Sequence, residues 1–362
     1  MGTGRDDRDP GRPMTSLESL LGIDVPIIQA PMAGVQGAAL AVAVSAAGGL
    51  GSVPAAMLSL GGLEEEWAAV QQGTTRPVNV NFFCHDPPVQ KPERLESWLQ
   101  RLEPYYRELG VDPAPPAGGP GREPFGAEQA EFLARLQPRV VSFHFGLPAP
   151  ALLDRVRAFR PIIMSSATTV DEARWLEEHG TDVIIAQGIE AGGHRGMFRS
   201  DLDRQMGTFA LLPQIVRAVR VPVVAAGGIA DAAGVAAARA LGAAGVQVGT
   251  AYLLCPESTT SPIHRAALES PEAAHTAITN VFTGRPARGI VNRIVREVGP
   301  LSDAAPAFPL AALAIAPLRA KAESLGRGDF SPLWAGQNVS GCARIPAAEL
   351  TRRLAAGWTG QP

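Results

Sequence analysis

An α/β fold, a (β/α)8 TIM barrel carrying a second, smaller and mostly helical lobe, is what three features of the sequence predict. Short apolar runs alternate with helical segments along most of the chain, the rhythm of parallel strands joined by crossover helices. Two late runs end in Gly227-Gly228 and in Gly249-Thr250, which resembles the phosphate grip after the seventh and eighth strands of such a barrel. Between the third and fourth runs the rhythm breaks, and a stretch richer in charge and aromatic residues intervenes.

Taken in order, VPIIQAPM (25–32) reads as the first strand, with Pro31 at its end. GAALAVAVSAAGGLG (37–51) is a small-residue helix stopped at Gly48-Gly49, and Gly49–Val53 opens the second strand. A helix around 63–72 follows, with Glu64, Glu65 and Glu66 early in it, where they suit the helix dipole. VNVNFF (78–83) is the third strand.

The interruption comes next. Residues 91–110 have the pattern of a long amphipathic helix bearing Trp98, Tyr105 and Tyr106, residues 111–124 form a Pro/Gly-rich loop, and a second helix covers about 126–137. A two-helix insertion of this kind often caps a site. The βα rhythm then resumes with strands VVSFHFG (140–146), PIIMSSA (161–167) and TDVIIAQG (181–188), separated by helices at about 148–159 and 169–180. A Gly-rich loop runs to about Thr208, and a helix near 209–219 leads to the seventh strand, which ends near Ala226. Asp231 is a good N-cap for the Ala-rich helix that stops at Gly242. The eighth strand ends near Val248.

The rival, a doubly wound open sheet, is weakened because the glycine turns follow the seventh and eighth strands. The first strand ends in QAPMAGVQG, without GxGxxG. Residues 16–83 and 138–255 are therefore expected to form the barrel, and 84–137 with 256–362 the second lobe. Helices are expected in the lobe at 262–273, 306–325 and 346–356. Residues 1–15, polar and Gly/Pro-rich, read as a flexible tail without the apolar core of a signal peptide.

With 32 basic and 35 acidic residues, the net charge of −3 gives no electrostatic case for nucleic acid or an anionic membrane surface. No apolar run reaches the ~18 residues of a spanning helix. Cys84, Cys255 and Cys342 are widely spaced and form no CxxC. A reduced, cytoplasmic setting is expected. A homodimer is left open.

In a barrel, residues at the C-terminal strand ends face the site. That brings together Gln29, Met32, Asn79, Asn81, His144, Ser165, Ser166 and Gln187, then the two glycine turns. The amides of Asn81 and Gln187 both donate and accept, which suits the edge of a heteroaromatic cofactor; the plain alternative is a buried amide satisfied by backbone. His144 alternates with Phe143 and Phe145, and its place at a strand end favours a proton-handling role over a structural one. QGIEAGGHRG (187–196) reads as a backbone nest beside a phosphate or flavin, or else as a flexible loop, with His194 a second site histidine in the first case. Glu190 and His194 have no further ligands at metal spacing, so no metal is expected. Tyr105 and Tyr106 could reach over the site from the insertion, although ordinary interface packing is the simpler reading. No Gly-x-Ser-x-Gly elbow, Walker loop or H-E-x-x-H occurs.

PIIQAPMAG, VSFHFGLP, QGIEAGGHRG, PVVAAGGIAD, GAAGVQVGT and TGRPARGIVNR, in that order, resemble the bacterial nitronate monooxygenases, formerly called 2-nitropropane dioxygenases. The resemblance spans roughly residues 16–356 and implies an FMN-binding TIM barrel with a smaller lobe. It implies FMN contacts by Asn81, Gln187, Gly192, Gly228, Gln247, Val248, Gly249 and Thr250; Met32, Gly193 and Gly227, at the first strand end, in the nest and in the glycine turn, are expected to bind the cofactor beside them. His144 matches the family's site histidine; Ser165, Ser166 and His194 are candidate substrate contacts. It further implies oxidation of alkyl nitronates such as propionate 3-nitronate by O2, through a flavin semiquinone, to carbonyl compounds and nitrite, without a nicotinamide. The tyrosines and lysine that some members place around the substrate have no clear match here. Two rivals stand beside this reading: an FMN-type enoyl-acyl-carrier-protein reductase using NAD(P)H, and a non-catalytic flavin-binding protein.

Overall fold

Eight parallel strands close into a barrel in the computed structural model, which describes residues 16–89, 91–113 and 122–360. The barrel strands are β1 (Ile27–Gln29), β2 (Gly51–Pro54), β3 (Val78–Phe83), β4 (Val140–His144), β5 (Ile162–Ala167), β6 (Val183–Gln187), β8 (Val223–Ala226) and β9 (Gly245–Val248). They pair in the order β1-β9-β8-β6-β5-β4-β3-β2, and a parallel bridge between Ile28 and Leu50 joins the two ends. A second sheet is small and antiparallel: β7 (Gly193–His194), β11 (Ala287–Ile290) and β10 (Thr276–Thr279). The expected tail, 1–15, lies outside the described residues, as does 114–121 of the expected Pro/Gly-rich loop.

Alternation along the strands sorts the core. Ile184, Val223, Ala225, Val246 and Val248 face outward and pack under the helices. Ile28, Met164, Ile185, Val224 and Ala226 face inward, and the short helix Leu17–Leu21 plugs the lower end with Leu17 and Leu21. Ser16 caps that helix through Ser19 N.

The helices form a ring whose membership departs from the expected division of the chain. Seven lie between strands: Ala38–Ala46, Leu60–Gly73, Ala127–Leu136, Pro150–Arg157, Val170–Glu178, Thr208–Ala218 and Ala232–Ala240. The eighth is the last helix, Ala347–Thr359, which packs between Ala38–Ala46 and Ala232–Ala240. Both Ala127–Leu136 and Ala347–Thr359 were expected in the second lobe. Their apolar faces decide otherwise: Ala130, Phe132 and Leu133 pack with Val141 and Phe143 of the barrel, and Leu350 and Leu354 with Leu40 and Val44.

What remains of the insertion, the helix Pro92–Leu109, packs against Ala311–Ser324 from the C-terminal segment. Trp98, Leu102, Ile294, Ile315, Leu318 and Phe330 fill the seam. Tyr105 and Tyr106 belong to this seam: Tyr105 meets Phe330 edge-on and the Tyr106 hydroxyl donates to Ala314 O at 2.5 Å. Neither reaches the barrel mouth, and the interface reading of the two tyrosines holds. Among the described residues, no helix is long and apolar enough to cross a membrane.

Candidate active site

One cavity opens at the C-terminal mouth of the barrel. Asn81, Ser142, His144, Ser166, Ile185, Gln187, Ala226 and Gln247 enter it as inward-facing residues near their strand ends. Met32, Gly192, Gly193, His194, Gly227, Gly228, Gly249 and Thr250 line it from the loops above. The structure thus gathers most of the residues picked out from the sequence. Two are excluded by the strand alternation. Ser165 faces outward and is fully buried, donating to Phe143 O at 3.1 Å and Gly146 O at 3.0 Å. The Val248 side chain packs under the ring helices, and only its backbone, whose carbonyl accepts from Ala30 N at 2.8 Å, belongs to the rim. Gln29 is likewise committed elsewhere, to Gln36 at 2.7 Å, and Asn79 donates to Ser52 Oγ at 3.0 Å.

The glycine turns form a cradle. Gly227 (φ 115°) and Gly228 (φ 74°) hold conformations that L side chains rarely adopt. A Cβ on Gly192 would come within 2.6 Å of the backbone of Ala335 and Gly336. Thr250 Oγ1 accepts from Gly336 N at 3.0 Å, so its own proton is left for an anionic oxygen. Gln247 Oε1 is buried without a partner. An orphaned acceptor at the cavity wall calls for a ligand N–H or O–H.

His144 stands across from the glycine turns. Its Nδ1 is 3.0 Å from Ser166 Oγ and its Nε2 3.2 Å from the carbonyl of His194. The carbonyl can only accept, so the proton sits on Nε2 and Ser166 donates to Nδ1. Burial, reinforced by the charges of Arg285 and Arg195, pushes the imidazole down to about 3, while the bond to His194 opposes this. The ring is neutral at physiological pH. Directly after it, Phe145 adopts φ 71°, a left-handed conformation uncommon for a bulky residue. Its ring is met by Phe83 at 4.7 Å, by Phe308 at 5.7 Å and by the Arg285 guanidinium at 3.8 Å from the centroid.

The Gly-rich loop is an ordered strap. Gln187 Nε2 donates to His194 O at 3.0 Å, and its Oε1 accepts from Gly196 N at 2.7 Å. Gly193 and His194 pair with Arg288 and Ala287 of β11, so the TGRPARGIVNR segment holds the strap down. Arg195, fully buried, donates to Gln187 O and Gly188 O, both at 2.8 Å. Glu190 is drawn away from the cavity and caps the helix Thr208–Ala218 through Thr208 N at 2.9 Å. His194 Nε2 lies 3.0 Å from Thr283 Oγ1, and burial, then the Arg122 charge, depresses its basicity.

Several lining residues escape the sequence reading: Phe83, Arg122, Ser142, His264, Trp334 and Asn338. Ser142 shares the inward register of His144 and could have been found by counting back two residues. Trp334 and Asn338 come from a loop 80 or more residues beyond the last barrel strand, where periodicity says nothing about position. Among the described residues, no group of His, Cys, Asp and Glu could hold a metal ion.

A parallel barrel with a largely apolar cavity at its C-terminal mouth, a backbone cradle on one side and a neutral histidine on the other, defines an enzyme of the TIM-barrel class that binds small molecules. The nitronate monooxygenase family profile matches residues 14–357. A nitronate monooxygenase from Pseudomonas aeruginosa is 43% identical over 350 residues, covering 92% of this chain and 96% of the relative. One from Paraburkholderia phytofirmans is 40% identical over 343 residues, covering 94% and 93%. Among solved structures, the nitroalkane oxidase from Streptomyces ansochromogenes superposes with a TM-score of 0.87 at 38% identity, covering 96% of this chain and 98% of that one. FabK from Thermotoga maritima superposes with a TM-score of 0.71 at 25% identity, covering 96% and 97%. The chain belongs to the nitronate monooxygenase family and is an oxidoreductase.

Proposed function

We propose that this enzyme binds FMN in the cavity and oxidises alkyl nitronates, propionate 3-nitronate among them, with O2 to carbonyl compounds and nitrite. The observation that carries the reading is a neutral, buried histidine facing a phosphate-type glycine cradle across one barrel mouth. The cradle suits the cofactor. Gly227, Gly228, Gly249 and Thr250 would hold its phosphate, where backbone N–H groups and the Thr250 hydroxyl can donate. Asn81, Gln187 and Gln247 would face the ring system, with Met32, Gly192 and Gly193 closing around it; the partnerless Gln247 Oε1 fits a ring N–H or ribityl hydroxyl. Bound there, the flavin supplies the redox chemistry.

The protein's own work is positioning and proton control. A nitronate is already an anion and needs no base. A histidine whose conjugate acid lies near 3 is poorly matched to abstracting a proton from a neutral nitroalkane, but its N–H can be traded from the His194 carbonyl to a nitronate oxygen. Ser166, hydrogen-bonded to Nδ1, holds the ring's orientation. Phe83, Trp334 and Met57 line the cavity with apolar surface, which limits water and strengthens the remaining polar contacts.

The likeness to FabK keeps a second reading in view, a flavin reductase drawing electrons from NAD(P)H. Oxygen consumption by the purified protein with propionate 3-nitronate, with and without NADPH, separates the two. Rapid uptake without nicotinamide is expected. Anaerobic bleaching of the flavin by NADPH with no nitronate turnover overturns the proposal.

A further inference from the structure

The cavity carries a cation, Arg122, that has no ion-pair partner among the described residues. Arg122 lines the mouth, half-buried, from the segment just before the helix Ala127–Leu136. Among the described residues, no carboxylate lines the cavity with it. Among the described residues no acid forms an ion pair with Arg122, and the neighbouring stretch 114–121, APPAGGPG, contains no acid in its sequence. The charged group that does act on Arg122 is another arginine, Arg319, itself engaged with Glu323 at 2.7 Å. A guanidinium removed from water without a partner is costly, and such a cost is kept where a ligand offsets it.

The position of Arg122 says which ligand group that is. Its charge is felt by His194 and His85. His194 sits within 6.1 Å of the Phe83 and Phe145 rings, and His85 lies 4.8 Å from Phe308. This is the His144 side of the mouth, where the substrate would lie. It is not the side of the glycine turns, which already offer a phosphate its donors. The nitronate group has its own partners in His144 and Ser166. An anion beyond it, on the substrate's far end, would meet Arg122.

We infer that Arg122 is a specificity-determining residue that receives a carboxylate at the far end of the substrate, so that the enzyme prefers nitronates carrying a second negative charge. The inference rests on the reading of the cavity as a nitronate site. A planar guanidinium binds a carboxylate in two parallel hydrogen bonds, a geometry that an amide or an ammonium does not reproduce. Discrimination then comes from leaving the guanidinium unpaired whenever the substrate lacks the carboxylate.

The test is an enzyme-by-substrate cycle. Wild type, Arg122→Gln and Arg122→Lys are assayed with propionate 3-nitronate and with propyl 1-nitronate, and bound flavin per chain is measured for each. Arg122→Gln is expected to lose about tenfold or more in kcat/KM for propionate 3-nitronate, chiefly through KM, and less than about threefold for propyl 1-nitronate. Arg122→Lys recovers part of the loss, and flavin content is unchanged. Equal losses on both substrates, or no loss on either, overturn the inference. Loss of flavin in Arg122→Gln overturns it too, because the anion held would then be the cofactor's phosphate. A binding titration with 3-nitropropionate, followed by tryptophan fluorescence, is independent of turnover. If the wild type oxidises neither nitronate but still binds 3-nitropropionate through Arg122, the functional reading fails while the carboxylate site stands. If Arg122→Gln binds it as tightly as wild type, the carboxylate site falls.

Discussion

Ser166 Oγ lies 3.0 Å from Nδ1 of His144, and this contact orients a titratable side chain that faces the cavity from a barrel strand end. With Nδ1 accepting from the serine, the proton is left on Nε2. His144→Asn preserves size and polarity, yet it removes that oriented N–H. The variant is expected to keep its flavin and lose most turnover, about a hundredfold or more. Ser166→Ala, which frees the ring without deleting it, should lose less. Unchanged rates for His144→Asn with both nitronate and neutral nitroalkane would remove His144 from the chemistry.

Gln247 offers a sharper test of the cofactor. Its buried acceptor has no partner within the protein, so replacing it with an apolar residue of similar length removes a cost from the ligand-free fold. Gln247→Leu should melt at the same temperature as wild type or higher when stripped of flavin. Its affinity for FMN should fall, by about tenfold, since one hydrogen bond to the ligand is gone. An apo-protein that is clearly destabilised, with FMN affinity intact, would show that Gln247 serves the fold instead.

These two residues also show how far the sequence could be read. The barrel was legible because its strands are apolar runs between turns, and the end of each strand falls within about three residues of its expected place, from Gln29 to Val248. His144 and Gln187 were legible because polar side chains inside such runs point somewhere specific, and Gln247 because its GAAGVQVGT block resembles the family's. Ser165 and Val248 were misplaced for a related reason: they sit in the right motifs but on the wrong side of the alternation. The small β7–β11 ladder, the return of Ala347–Thr359 to the ring, and the arrival of Arg122 and Trp334 at the cavity depend on contacts between distant segments. Local periodicity carries no information about them.

Acid should unfold this protein through its buried histidines. Burial, with the Arg285 charge, lowers His85 to about 4, burial lowers His264 to about 4, and His144 lies near 3. Each folded value is below the 6.5 of an unfolded histidine, so the unfolded chain takes up protons first as pH falls. Stability from these groups is complete above pH 6.5 and declines between 6.5 and about 3–4. The slope is at most about 1.4 kcal/mol per pH unit for each. Both ring nitrogens of His85 are buried without a well-formed hydrogen bond, the Arg122 backbone opposing the downward shift only in part, and the ring packs edge-on against Phe308. His85→Phe should therefore flatten the acid limb and raise the melting temperature at pH 5, with little change at pH 8. Thermal melts across that range check it, and an identical pH profile for the variant would exclude His85 as a contributor.

Glu172 bears on the strap from below. It is fully buried, and its two oxygens accept from Phe198 N (2.7 Å), Arg199 N (3.0 Å), Ser200 Oγ (3.0 Å), Thr168 N (2.7 Å) and Thr168 Oγ1 (2.7 Å). This one carboxylate thus fastens the segment just after Gly196 to the end of β5, close to where Ser166 meets His144. Glu172→Ala strands these donors in a buried site and should cost about 3–5 kcal/mol, the range for breaking a buried charged network. Glu172→Gln keeps the shape but turns one acceptor into a donor facing donors, so it should recover little. If the strap is what positions the His194 carbonyl against His144, whichever variant folds should also lose turnover at temperatures well below its melt. Hydrogen exchange at Phe198 and Arg199 reads the loosening directly. Unchanged exchange there, together with a wild-type melting temperature, would show that Glu172 does not hold the strap.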